Sequence, residues 1–120
     1  MSSRRVEVIL VGQARAEFEE LRRIASEQQA RGILNSPEQQ LLKCIKQKRD
    51  AIKSNPNYGD KVPHEQIPRD MEVSNLFVVD LSRYWRMLYT LRTSQIEIVA
   101  IVLNVVDHPT YDQMFGYRKK

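Results

Sequence analysis

Three apolar segments close to the C-terminal end, residues 76–81 (LFVVDL), 85–91 (WRMLYTL) and 95–106 (QIEIVAIVLNVV), are separated by only three residues each, SRY and RTS. Their β-branched and aromatic content reads as strand. A three-residue connection cannot carry the chain back to start a parallel strand, so the three must form an antiparallel meander. The middle segment alternates cleanly. Trp85, Met87, Tyr89 and Leu91 fall on one face, and Arg86, Leu88, Thr90 and Arg92 on the other. An aromatic face needs cover, which predicts helices against it and leaves Arg86 on the opposite, more open face.

The cover is written upstream. Phe18, Leu21 and Ala25 recur at helical spacing among Glu and Arg, predicting an amphipathic helix over 14–31 that Gly32 closes. Ser36, followed by Pro37 and three residues later by Gln39, has the pattern of an N-cap, a proline at the first helical position and a capping-box partner. The second helix is predicted to run to Ser54, with Leu41, Leu42, Ile45 and Ile52 inward, and Asn55-Pro56 ends it. A link of about four residues forces the two helices into an antiparallel hairpin. Before them, 6–11 (VEVILV) reads as a buried first strand bounded by Gly12, and 55–75, with three of the five prolines, reads as an ordered loop. The order strand, helix, helix, strand, strand, strand, with a short C-terminal helix, predicts an α+β sandwich of two layers. At 120 residues, 1–120 is expected to be a single domain.

Composition removes several functions. No stretch approaches the ~18 apolar residues of a membrane helix, and the N-terminal MSSRRVEVILVG is a poor secretory signal, so no membrane partner and a cytoplasmic location are expected. Cys44 is the one cysteine and the two histidines are far apart, which argues against a disulfide or a metal and leaves no cofactor to expect. Cys44 falls near the buried stripe of the second helix, where a thiol acts as a small apolar group. A net charge of +4 permits nucleic acid without demanding it.

NLFVVDLSRYWRMLYTL and IEIVAIVLNVVDHPTYDQMFGYRKK, in this order and spacing, resemble the central hairpin and C-terminal segment of the RelE/ParE superfamily of toxin–antitoxin toxins, archaeal-type RelE-like members above all. The matching features are the Trp85-Arg86-Met87-Leu88-Tyr89 strand, the Asp107-His108-x-x-Tyr111-Asp112 run and Phe115-Gly116-Tyr117. The resemblance is strongest over 76–120 and agrees only in pattern and length before that. It implies one of two activities. RelE-like toxins cut messenger RNA in the ribosome; ParE-like toxins poison DNA gyrase by binding it, and the fold alone does not choose. It also implies a cognate antitoxin, an acidic, partly disordered peptide encoded in a neighbouring gene, and it admits a homodimer.

Cleaving RNA without metal needs a base for the 2′-OH proton, an acid for the leaving 5′ oxygen and positive charge on the phosphate. Arg86 is the candidate clamp, since a guanidinium offers a rigid fork of donors; the alternative is an ion pair with Asp80 across the hairpin. His108 can serve as acid or base near neutrality, and Pro109 after it is expected to end the ladder and expose it; the alternative is a bond to Asp107 or a role in capping. Tyr111 either stacks a base or packs the helix that follows. Lys43, Lys46, Lys48, Arg49 and Lys53 lie within eleven residues and read as a solvated helix face or as a track for ribosomal RNA, with Arg92 as a further RNA-binding candidate. Arg118, Lys119 and Lys120 invite the same pair of readings. His64, in the loop, reads as a surface histidine. One departure counts against cleavage: Val78 and Asp80 stand where RelE-type nucleases carry lysines.

Overall fold

The computed structural model describes residues 4–82 and 84–116. The chain runs β1 (Arg5–Leu10), α1 (Gly12–Ala30), α2 (Pro37–Ser54), β2 (Asp60–Lys61), two single 3₁₀ turns at His64–Gln66 and Arg69–Met71, β3 (Phe77–Ser82), β4 (Trp85–Thr93), β5 (Glu97–Asp107) and α3 (His108–Phe115). The predicted hairpin of helices and the meander are both present, and the class is α+β.

Local chemistry explains the helix ends. After α1, the N–H of Gly32 bonds the carbonyl of Gln29 and that of Ile33 bonds Gln28, a Schellman closure that needs the positive φ of +83° at Gly32. Ser36 caps α2 by accepting from the N–H of Gln39 at 3.1 Å. The reciprocal half of the capping box is missing. The Gln39 side chain instead donates to the Gln28 side chain and the Ile33 carbonyl, tying α2 back to the end of α1.

The sheet order is β1-β5-β4-β3-β2, with β1 parallel to β5 and the remaining pairs antiparallel. Two expectations change. The first strand is not buried: it forms one edge of the sheet, and its residues alternate between exposed and half-buried. The stretch read wholly as loop contributes β2, which pairs Asp60 with Val78 and Lys61 with Phe77. Past the end of β1, the Gln13 side chain takes a strand's place, donating to the carbonyl of Val105 at 2.9 Å and accepting from its N–H at 2.7 Å.

Trp85, Met87, Tyr89 and Leu91 face the helices, as expected, against Leu21, Leu41, Ile45 and Ile52. A register shift between Leu88 and Tyr89 lets both Val102 and Val105, three residues apart, reach this layer from β5. The opposite face is less open than expected. Leu76, Leu88 and Val106 are roofed there by Val62, Ile67, Met71 and Val73 of the loop and by Tyr111, Met114 and Phe115 from α3. No helix among the described residues is long and apolar enough to cross a membrane.

Candidate nucleic-acid interface

The roof stops short of Arg86. This residue pairs across β4 with Asp80 of β3 on one side and Val106 of β5 on the other. Its Nε donates to Asp80 Oδ1 at 3.1 Å, and its Cζ lies 4.5 Å from the ring centre of Tyr111. The guanidinium is thus braced by a carboxylate at one edge and an aromatic face beneath. The Asp80 side chain is 77% exposed, so solvent screens the pair and it adds only about 0–1 kcal/mol to stability. The ion-pair alternative for Arg86 is realised, and the residue also fronts an open recess of about 250 Å³ lined by Lys61, Gln66, Val78 and Tyr111.

Tyr111 is delivered by α3. Asp107 caps that helix, its Oδ1 accepting from the Thr110 N–H at 2.9 Å, and Gly116 closes it at a φ of +73°. Hydrogen bonds from Thr110 hold the Asp107 carboxyl below the usual carboxylate range, with a smaller contribution from His108. Phe115 stacks on Tyr111 with ring centres 4.3 Å apart. Packed by Phe115 and Arg86, Tyr111 is a support for the guanidinium, in agreement with the packing alternative.

His108 departs from expectation. Pro109 does not release the chain into a loop; it occupies the first turn of α3, where a missing N–H costs nothing. The chain turns directly into the helix, with the His108 N–H donating to the Tyr84 carbonyl at 2.9 Å. His108 Nε2 is buried without a hydrogen-bond partner, and His108 is not among the residues lining the recess beside Arg86.

The basic run of α2 is dispersed. Lys48 donates to the Tyr58 hydroxyl at 3.1 Å, a bond that raises its pKa, and fronts a second recess of about 300 Å³ with Gly59, Asp60 and Asp80. Lys43 and Lys46 line a different hollow between α1 and α2, of about 380 Å³, away from Arg86. Arg49 lies 3.7 Å from Asp50, and Lys53 is exposed in the last turn. Arg92 is exposed six residues along β4 from Arg86, roughly 20 Å away. His64 is exposed. Cys44 is half-buried with its thiol against the Leu81 carbonyl, and burial pushes its pKa up. Arg118, Lys119 and Lys120 lie outside the described residues. Sequence reasoning missed Tyr58, Lys61 and Gln66, which a loop without periodicity gave no pattern to reveal. No group of His, Cys, Asp and Glu among the described residues is arranged to hold a metal ion.

No protein-family model matches the sequence, and no curated protein sequence matches it. The fold does have a match: the YoeB/ParE toxin from Agrobacterium tumefaciens superposes with a TM-score of 0.57 and 13% identity, over 85% of this chain and 98% of that one. At that identity the likeness speaks for architecture alone.

Proposed function

We propose that this protein is an RelE-like toxin of the archaeal type that cleaves messenger RNA on the ribosome, acting in the cytoplasm without a metal. The observation that carries the reading is the posture of Arg86. A guanidinium held through Nε by Asp80 and from below by Tyr111 keeps its terminal amino groups for a ligand, in the fork geometry that suits two phosphate oxygens. In the reaction the 2′ oxygen attacks the adjacent phosphorus as its proton passes to a base. The bond to the 5′ oxygen breaks, and that oxygen takes a proton from an acid, leaving a 2′,3′-cyclic phosphate and a 5′-hydroxyl. Arg86 offsets the charge that gathers on the phosphate. His108, two residues beyond Val106, the cross-strand partner of Arg86, is the titratable group this reading assigns to proton transfer; with Nε2 enclosed and the residue outside the recess, its side chain must first turn toward Arg86 to act. Lys61 and Lys48 supply further positive charge along the strand's path. Induced expression is expected to arrest growth and leave messages cut within codons, and Arg86→Ala to relieve the arrest by lowering cleavage about 10²–10³. Intact messages in arrested cells would refute it.

A second reading, in which the protein acts only by occupying a partner such as gyrase, draws on a specific observation. His108 Nε2 is enclosed, and Asp80 and Val78 stand where catalytic lysines would be expected. Arrest with DNA damage and unbroken messages, or no arrest, favours it. Under both readings the partner is an acidic antitoxin, and a short acidic open reading frame beside this gene is the simplest sign of one.

A further inference from the structure

The recess beside Arg86 and the one beside Lys48 share Asp60, Val78 and Asp80, so they adjoin as a trough around the edge of the sheet where β2 pairs with β3. Each end holds a cation against a tyrosine. Arg86 Cζ is 4.5 Å from the Tyr111 ring centre, and Lys48 Nζ is 5.5 Å from that of Tyr58. The two tyrosines differ in what they offer. Tyr111 is buried and stacked on Phe115, whereas Tyr58 is 42% exposed and held at its hydroxyl by Lys48. A ring fixed at one edge and fronting an open trough is a platform for a flat ligand. Asp80 borders both recesses and accepts from Arg86 Nε, so the two ends adjoin at one carboxylate. Between the ends stand two carboxylates, Asp60 and Asp80. They repel phosphate and accept from hydroxyls and amino groups, so a strand crossing here would turn its riboses or base edges toward them and its phosphates toward the cations at either end.

We propose that Tyr58 and Lys48 form a second nucleotide subsite, in which Tyr58 stacks the base next to the phosphate held by Arg86 and Lys48 meets that nucleotide's backbone. The ligand is single-stranded RNA, and the inference rests on the RNA reading of Arg86.

Fluorescence anisotropy with a labelled RNA trinucleotide, and with the same trinucleotide carrying one abasic position in turn, tests the subsite. Tyr58→Ala is expected to weaken binding of the intact trinucleotide about tenfold, the usual loss for one stacked base. Tyr58→Phe keeps the ring and retains most of the affinity. Lys48→Ala weakens intact and abasic strands alike and flattens the salt dependence. For one abasic strand, the one missing the stacked base, the Tyr58→Ala loss disappears. If Tyr58→Ala binds like wild type while Arg86→Ala does not, the subsite is wrong and the Arg86 reading stands. If Tyr58→Ala weakens every abasic strand as much as the intact one, stacking is wrong. If wild type binds none of these strands, both fall.

Discussion

The two faces of the sheet are built for different work. Toward the helices, Ile45, Ile52, Met87, Tyr89, Val102 and Val105 are completely enclosed in one continuous core, and each large apolar side chain so buried contributes about 1.5–3 kcal/mol. On the other face, Leu76 and Leu88 are just as deeply enclosed, but the cover is irregular loop and a two-turn helix, and it ends before Arg86. Regular helices keep the side chains of the helical face covered throughout. A roof of loop and α3 leaves an opening where a cation and polar groups stay reachable, which is where a site belongs.

The sharpest way to break this contrast is to damage one face and watch the other. Tyr89→Ala, on the helical face, removes a fully buried ring stacked on Phe77 at 5.1 Å and is expected to cost about 3–5 kcal/mol in urea unfolding. Tyr89→Phe isolates the hydroxyl, which donates to the Pro56 carbonyl at 2.7 Å and accepts from the Gly59 N–H at 2.9 Å; leaving those groups unpaired costs about 1–3 kcal/mol. A Tyr89→Ala loss under ~1 kcal/mol would mean the helical face does not carry the stability.

Arg86→Ala should show the reverse pattern. Its exposed partner predicts a stability change within about 1 kcal/mol, while cleavage, if the RNA reading holds, falls by about 10²–10³. Arg86→Lys is expected to lose most of that activity as well, since an ammonium has no planar fork. Equal losses of stability and activity in Arg86→Ala would make this residue structural. Between these extremes lies Gly59→Ala, where the loop touches the sheet: an added Cβ would sit 3.0 Å from the Val78 carbonyl, Val79 and Tyr89. A backbone oxygen cannot swing aside, so a loss of about 1–3 kcal/mol is expected in the same urea measurement.

Much of the helical face is legible in the sequence, because its signals are local and periodic. Ser36-Pro37 marks the start of α2, Gly32 the end of α1, and the alternation from Trp85 to Leu91 marks the face they cover. The other face is harder to read. A two-residue strand such as β2 has no period, and the parallel pairing of β1 with β5 leaves no trace in either segment alone. Pro109 carries two meanings, ladder breaker or first-turn helix residue, and only the Asp107 cap decides between them. The cations of α2 look like one cluster in a row of letters. At 3.6 residues per turn, Lys43 and Lys48 point roughly 140° apart, so one fronts the hollow between the helices and the other the trough near Arg86.

The smallest effect tests where the two faces meet functionally, at the start of α3. Asp107→Ala removes the cap and is expected to cost about 1 kcal/mol at neutral pH, whereas Asp107→Asn keeps an oxygen able to accept from Thr110. Because hydrogen bonding lowers the folded-state pKa of Asp107, its ionised form adds stability that is fully present above the unfolded-state pKa and lost as pH falls through the lowered one. Thermal melts of wild type and Asp107→Asn should therefore differ most near neutrality and converge on acidification below the ordinary carboxylate range. A gap that persists unchanged into acid would place the difference elsewhere than in this carboxylate. The same variants sharpen the contrast between faces, since fraying α3 loosens Tyr111 from beneath Arg86. Under the proposed RNA-cleavage function, Asp107→Ala is then expected to lower cleavage by more than its ~1 kcal/mol stability cost would unfold, while a change of equal cost on the helical face leaves cleavage intact.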